Sequence, residues 1–143
     1  MDAIMAIMAA AFDPTYGEAW TRSQCAGILP MAGVTLRLAD GRIGRVAGFA
    51  LARAVADEAE LLLIAVDPEA QKAGIGSALV DDFVASATAK GARRLHLEVR
   101  DGNSAIALYQ RAGFSLVGRR RDYYRWTDGR KRDALTLALE IDG

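Results

Sequence analysis

Cysteine and histidine are almost absent from this chain of 143 residues, which contains one of each. A lone Cys25 can form neither an internal disulfide nor a cysteine zinc site, and a single cysteine fits a reducing compartment. Because His96 is the only histidine, no catalytic metal is expected. These absences predict a protein without a bound metal, located in the cytoplasm.

An excess of charge and long apolar runs are also missing. The chain has 18 lysines and arginines and 18 aspartates and glutamates, so its formal net charge is zero. Bulk charge therefore gives no reason to expect a nucleic acid or an anionic membrane as a partner. The apolar start, residues 1–12, carries Asp2 and no basic segment, unlike a signal peptide. No apolar run approaches the length of a membrane span, which again predicts a cytoplasmic protein.

Length and composition predict a single domain over residues 1–143. Hydrophobic residues make up 52% of the chain and charged residues 25%, the balance of a soluble globular protein rather than a disordered one. A chain of this length can bury a sizeable core. No internal repeat, linker or low-complexity tract divides it.

Apolar periodicity predicts ten elements in the order α-α-β-β-β-α-β-α-β-β. The predicted helices cover residues 3–12, 20–30, 74–90 and 104–112, and the predicted strands cover residues 34–38, 46–55, 60–66, 95–99, 114–117 and 135–141. The basic, aromatic segment 119–132 lies between the last two strands or extends them. Three consecutive strands suggest antiparallel pairing, and the helix from Gly74 then crosses over to a parallel neighbour. The fold class is therefore a mixed α/β or α+β sheet with helices on both faces.

Residues 64–76, IAVDPEAQKAGIG, are the most informative segment of the chain. A strand, a polar loop, small residues and a helix start follow one another, an order that presents free backbone N–H groups to a phosphate. The glycines leave room for a ligand beside the backbone, and the helix directs the positive end of its dipole at an anion. The candidate phosphate-binding residues are Gln71, Lys72, Ala73, Gly74, Ile75, Gly76 and Ser77. An alternative is a structural helix start with glycine for close packing, and this short pattern alone favours that alternative.

Two familiar nucleotide motifs are excluded. A dinucleotide-binding GxGxxG would need a third glycine where this chain has Leu79. A P-loop would need glycine, lysine and then serine or threonine at its end, and the sequence has no such run. The phosphate would therefore belong to another class of ligand.

Three further motifs accompany this loop: LEVR at residues 97–100, AIALYQRAGF at 105–114 and RRDYYRWTDG at 120–129. With the loop they resemble the GNAT superfamily of N-acetyltransferases over residues 16–140, and most of all its ribosomal-protein-alanine N-acetyltransferases. The resemblance implies a mixed, mostly antiparallel central sheet and acetyl-CoA as co-substrate. It also implies acetyl transfer to a protein N-terminal α-amine, such as the N-terminal alanine of a ribosomal protein. Alternatives are an acetyltransferase for a small-molecule amine or lysine, and a non-catalytic CoA-binding module.

Acetyl transfer to an amine needs a base, an acid near the sulfur and an oxyanion donor. An α-amino group has a pKa of about 7.7–8.0, so a base of modest strength is sufficient at neutral pH. By resemblance, Glu98 is that base and the Tyr109 hydroxyl protonates the departing CoA sulfur. Taken alone, a glutamate on a strand is more often solvated or salt-bridged than catalytic. A tyrosine on a short helix, likewise, more often packs its ring and hydrogen-bonds its hydroxyl. His96 lies on the Glu98 face and is a weaker candidate for relaying a proton.

The resemblance also implies binding residues. The backbone of Ile64, Ala65 and Val66 would pair with the CoA pantetheine and supply an oxyanion N–H, while Asn103 would bind the pantetheine or, with Ser104 as the alternative, cap the next helix. Tyr123, Tyr124 and Asp128 would line the peptide side. The basic runs 119–121 and 130–132 are interpreted as a solvated hairpin rather than a nucleic-acid surface. The expected partners are acetyl-CoA and a protein or peptide N-terminus, with the chain a monomer or weak homodimer.

The chain departs from the family pattern at two places. Asn103 precedes Tyr109 by six residues, whereas the family usually has seven, so the segment after Glu98 is one residue short. The family also starts with a strand before its first helix, and this chain begins directly with a predicted helix. The shorter segment after Glu98 bears on whether Asn103 can contact CoA. The missing first strand bears on which strand forms one edge of the sheet.

Overall fold

In the described part of the chain, four helices and six strands follow in the predicted order. The computed structural model describes residues 2–11, 20–40, 46–68, 74–125 and 128–141. The helices are α1 (Asp2–Ala11), α2 (Arg22–Ile28), α3 (Ile75–Ala89) and α4 (Ile106–Arg111). The strands are β1 (Val34–Asp40), β2 (Val46–Val55), β3 (Glu58–Val66), β4 (Arg94–Arg100), β5 (Ser115–Arg125) and β6 (Lys131–Glu140).

Some boundaries differ from the prediction. Helix α4 begins at Ile106 rather than Ser104, because the Asn103 side chain accepts a hydrogen bond from the Ala105 N–H at 2.8 Å and forms a turn first. The last two strands are much longer than predicted and include most of the segment 119–132, so this segment extends them. Gly91 and Gly113 have positive φ angles just after α3 and α4, a conformation that favours glycine at helix ends.

The sheet has the strand order β1-β2-β3-β4-β6-β5. Strands β3 and β4 are parallel, and every other neighbouring pair is antiparallel. Helix α3 makes the crossover between the two parallel strands, as the sequence predicts. The predicted mixed, mostly antiparallel sheet is therefore confirmed.

Helices cover both faces of this sheet. On the α1 face, Met8 packs with Phe49 of β2. On the opposite, α3 face, Phe83 packs with Leu95 of β4, and helix α4 joins the same cluster. Phe49 and Leu95 are almost completely buried, and burial of such a side chain contributes about 1.5–3 kcal/mol to folding.

A β-bulge in β3 brings apolar residues to both faces. Leu51 pairs with Leu63 but Ala52 pairs with Leu61, so Leu62 has no partner of its own on β2. Leu61 lies in the core of the α3 face, whereas Leu62 and Leu63 pack on the α1 face. Strand β3 is therefore covered on both sides, and its run LLLIAV, apolar on both faces, is typical of such a central strand.

Strands β3 and β4 part from each other in the middle of the sheet. Their pairing runs from Glu58 and Arg94 to Leu61 and Leu97, and no further. Beyond that point the rest of β3 pairs with β2 alone, and the end of β4 pairs with β6 alone. Residues 62–66 are therefore not paired with β4, and the region between them and the end of β4 is called the cleft below.

Candidate active site

The start of α3 follows the end of β3 at one side of the cleft. Gly74 precedes the helix with φ of 76°, a conformation that favours glycine, and no side chain caps this helix end. A Cβ added at Gly74 would meet no atom of the described residues within 4 Å. Within that part of the chain, the first N–H groups of α3 therefore have no side-chain partner. The predicted loop residues Gln71, Lys72 and Ala73 lie outside the described residues.

Gly76 has a packing role. A Cβ at this position would lie 3.2 Å from Leu108 Cδ2 and 3.8 Å from Val66 Cγ2. The absence of a side chain lets the start of α3 pack closely against α4 and the end of β3. This is the role in close packing that the alternative interpretation of the loop, a structural helix start, gives to glycine. This contact brings Ile75 and Ser77 together with the strand end that carries Ile64, Ala65 and Val66.

Tyr109 is held in the core by α4. Its side chain is buried, and its ring meets Phe114 edge-on, with 6.3 Å between the ring centroids. The Phe114 N–H donates to the Tyr109 carbonyl oxygen at 3.1 Å, which fixes the turn at the end of the helix. The ring therefore packs as a structural tyrosine does, and Leu108 beside it contacts the start of α3 near Gly76.

Glu98 lies on the other side of the cleft, where β4 has left β3. Leu97 and Val99 are buried on the α3 face, so Glu98 and His96 point to the α1 face, as predicted. The Glu98 side chain is 26% exposed and one carboxylate oxygen lies 3.4 Å from Arg120 Nε. A half-buried carboxylate beside an opening is able to accept a proton from a ligand there.

Arg120 reaches Glu98 from two strands away. Glu98 is opposite Thr136 on β6, and Thr136 is opposite Gly118 on β5. Ala134 lies opposite Arg120, so small residues of β6 and β5 separate the two charged groups. The sequence did not predict this ion pair, because the two residues are far apart along the chain.

Two predicted acceptor residues lie beside this ion pair. The Arg120 guanidinium lies 5.2 Å from the centroid of the Tyr123 ring, a cation–π contact. The Tyr123 and Tyr124 rings meet at 87° with centroids 5.2 Å apart. Tyr123 remains 52% exposed, so the base candidate and an accessible aromatic surface are linked through Arg120.

Asp128, the third predicted acceptor residue, has a structural role in the hairpin turn. One of its carboxylate oxygens accepts the Arg130 backbone N–H at 3.0 Å and the other accepts Arg130 Nε at 2.7 Å. These hydrogen bonds, the backbone one first, lower the pKa of Asp128. Contact with an acceptor remains a prediction for this residue.

A second ion-pair group, called the Arg119 brace, consists of Arg119, Asp101 and Asp133. Arg119 Nη1 donates to Asp133 at 2.6 Å and to Asp101 at 3.0 Å. The other oxygen of Asp133 accepts the N–H of Asp122, whose φ is 53°. A non-glycine residue in that conformation costs on the order of 1–3 kcal/mol, which the surrounding contacts must offset. Residues 119–121 are exposed, as the interpretation of a solvated hairpin predicts, and within that hairpin Arg119 and Arg120 pair with acids.

The Arg119 brace makes the free energy of unfolding depend on pH in the acid range. Hydrogen bonds from Arg119, and then from Asp122, lower the pKa of Asp133. The Asp133 contribution is therefore present above the usual aspartate value of about 3.9, and is lost as pH falls through the lower folded value. We expect Asp133→Asn to have a lower free energy of unfolding than wild type at pH 7. The difference between the two proteins should become smaller in strong acid. Urea denaturation across this pH range measures it, and a gap that is constant with pH would contradict it.

The described residues contain neither a metal-ligand cluster nor a membrane-spanning helix. Among residues 2–11, 20–40, 46–68, 74–125 and 128–141, no group of three or more potential metal ligands occurs. None of the helices in those ranges is both long enough and apolar enough to cross a membrane.

Comparison with known proteins gives the class of this protein. The sequence profile of the acetyltransferase (GNAT) family matches residues 1–114. The chain therefore belongs to the GNAT family, which confirms the resemblance and the predicted class of protein.

Within this family, the chain is similar to two N-acetyltransferases named for a ribosomal protein. The ribosomal protein bS18-alanine N-acetyltransferase of Escherichia coli K12 is 46% identical over 99 residues, which cover 68% of this chain and 66% of that protein. The protein of the same name from Haemophilus influenzae is 38% identical over 97 residues, with the same coverage. The match thus spans slightly less than two thirds of each relative's length.

A solved structure agrees with the fold over nearly the whole chain. The crystal structure of the ribosomal-protein-S18-alanine N-acetyltransferase from Escherichia coli superposes with a TM-score of 0.87 at 35% identity, covering 99% of this chain and 88% of that one. The predicted GNAT-type sheet with helices on both faces is therefore confirmed.

Proposed function

We propose that this protein transfers acetyl from acetyl-CoA to the N-terminal α-amine of a protein, and that a ribosomal protein with N-terminal alanine is its substrate. The observation that carries the proposal is the separation of β3 and β4, with Glu98 on one side and the free edge of residues 62–66 on the other. The names of the Escherichia coli and Haemophilus influenzae relatives support the acceptor.

The cofactor side of the cleft is formed by β3, α3 and α4. The first N–H groups of α3 and the positive end of its dipole would bind the pyrophosphate beside Gly74. The unpaired edge of β3 at Ile64, Ala65 and Val66 offers backbone groups to the amides of the pantetheine arm. When bound, acetyl-CoA would supply an activated acetyl group with a thiolate as the leaving group.

Transfer requires two proton movements at opposite sides of the cleft. Glu98 would accept the proton of the attacking amine, directly or through water, while the amine nitrogen bonds to the acetyl carbon. The bond from that carbon to sulfur breaks, and the Tyr109 hydroxyl would donate a proton to the thiolate. A backbone N–H at the β3 edge would stabilise the developing oxyanion.

The acceptor side is the hairpin of β5 and β6. Tyr123 and Tyr124 offer an exposed aromatic surface, which an extended peptide end can cover. An incoming α-ammonium group would meet the Glu98 carboxylate where Arg120 now lies, so one cation would replace another. In this arrangement the amine is held beside its base.

Acceptor competition tests the proposal. The chain would be incubated with acetyl-CoA and, in separate reactions, a peptide with free N-terminal alanine, the same peptide with a blocked N-terminus and an internal lysine, and a small-molecule amine. We expect thiol release with the free N-terminus and background rates with the other two. Equal rates with the blocked peptide would support a lysine acceptor, and release with the small amine alone would support the small-molecule alternative.

A further inference from the structure

The Arg119 brace connects three segments that approach the cleft from different parts of the chain. Asp101 follows β4 directly and lies two residues before Asn103, whose side chain forms the turn into α4 and Tyr109. Asp133 lies on β6, and its carboxylate also accepts the N–H of Asp122 on β5. One guanidinium thus joins the segment before α4 to the hairpin of β5 and β6.

At its hairpin end, the Arg119 brace fixes the backbone of β5 near Asp122. The pairing of β5 with β6 is irregular between Arg120 and Tyr124, and Asp122 lies inside this irregular stretch with a left-handed backbone. The Asp122 N–H is held by Asp133 at 2.9 Å. The residues on either side of this fixed point are Arg120, which pairs with Glu98, and Tyr123 with Tyr124.

The α4 end of the brace is anchored by both side chain and backbone. The Asp101 N–H donates to the Asp133 carbonyl oxygen at 2.9 Å, so the two aspartates are already neighbours without their side chains. Both carboxylates then bind the same nitrogen, Arg119 Nη1. Without that cation, two like charges would face each other where the α4 segment meets the hairpin.

We propose that Arg119 is a positioning residue that sets the acceptor hairpin relative to the segment carrying Tyr109. The inference rests on the proposed function, because it assigns the acceptor side to the hairpin and the acid to α4. Arg119 touches no reacting group in this scheme and acts through Asp101 and Asp133. A shift of the hairpin would move Arg120 and the tyrosines relative to Glu98, and a displacement of about 1 Å can cost about 10²-fold in rate.

The test compares Arg119→Gln with Arg93→Gln, a change at an exposed arginine outside the acceptor hairpin. We expect Arg119→Gln to raise the acceptor KM about tenfold and to lower kcat, with CoA affinity by calorimetry unchanged. Loss of folded protein alone would lower the apparent kcat and leave the KM values for acetyl-CoA and for the acceptor at the wild-type level. Arg93→Gln should match wild type in acceptor KM, kcat and CoA affinity.

Two further variants test the charge argument. Arg119→Lys keeps one cation and should recover part of the acceptor KM. Adding Asp133→Asn to Arg119→Gln removes one of the two facing charges, so the double variant should be no worse than Arg119→Gln alone. Additive losses in the double variant, or an Arg119→Gln enzyme with the kinetic constants of Arg93→Gln, would overturn the inference.

The acceptor in these assays is whichever amine the wild-type protein acetylates. Wild-type activity on a lysine or a small amine alone would contradict the proposed function, and the same comparison on that amine would still decide the role of Arg119. An acceptor KM unaffected by Arg119→Gln would overturn only the role of Arg119.

Discussion

Glu98→Gln is expected to lower kcat by about 10²–10⁴-fold, the usual contribution of a positioned general base. Glutamine has the shape of glutamate and can still contact Arg120, so the sheet and the hairpin should keep their structure. The amide cannot accept the proton of the attacking amine, so the loss falls on the chemical step. Steady-state rates with acetyl-CoA and an N-terminal peptide measure it, and calorimetry should show unchanged CoA affinity.

Glu60→Gln is the matched control for this experiment. Glu60 is also half-buried on a central strand, but it lies opposite His96 in the part where β3 and β4 are still paired. We expect its substitution to leave kcat close to wild type. Similar kcat values for Glu98→Gln and wild type would show that the base is another group, with His96 as the next residue to test.

Tyr109→Phe is expected to lower kcat by an amount in the same range, about 10²-fold or more, because the departing thiolate loses its proton donor. The substitution removes one oxygen and keeps the ring that meets Phe114 edge-on. The thermal unfolding midpoint should therefore fall much less than it does on removal of the whole ring. Rates and thermal unfolding, measured on the same preparation, separate the loss of the hydroxyl from a loss of fold.

Tyr109→Ala provides the structural comparison. Removal of a buried aromatic ring typically costs about 3–5 kcal/mol, so this variant should unfold at a clearly lower temperature. If Tyr109→Phe retained the wild-type kcat while Tyr109→Ala was destabilised, Tyr109 would be a packing residue alone. The acid would then have to come from solvent or from another side chain.

Helix α3 shows how far local pattern predicts this fold. Its apolar stripe repeats every four residues, and Leu79, Phe83 and Ala87 of that stripe are buried while Ile75 packs at the edge of the core. Amphipathic periodicity depends only on residues near one another in sequence, so it can be recognised without the tertiary structure. The same holds for the run LLLIAV of β3, which is apolar on both faces, as a central strand covered on both sides would be.

Strand β5 shows where local pattern is insufficient. Most of its residues from Ser115 to Arg125 are exposed, so no alternation of buried and exposed side chains marks its length. Its second half is defined by backbone pairing with β6 and by the irregularity at Asp122. Since that pairing depends on a distant strand, the sequence predicted the short apolar beginning and left open whether residues 119–132 extend the strands.

The candidate site also contains residues that local motifs predict and residues that only the tertiary structure brings together. Glu98 and Tyr109 were predicted because they lie in short, specific motifs. The Arg119 brace was not predicted, because Asp101 and Asp133 are 18 and 14 residues away from Arg119 and meet it only through the strand order β4-β6-β5. The bulge at Leu62, which follows from the register of β2 and β3, was missed for the same reason.

Mass spectrometry of one acetylated peptide tests the central claim most directly. The peptide would carry a free N-terminal alanine and an internal lysine, so the two amines compete in one reaction with acetyl-CoA. Fragmentation then locates the acetyl group. We predict that it lies on the N-terminal α-amine in wild type and is lost in Glu98→Gln, whereas an acetyl group on the lysine, or none on either amine, would contradict the claim.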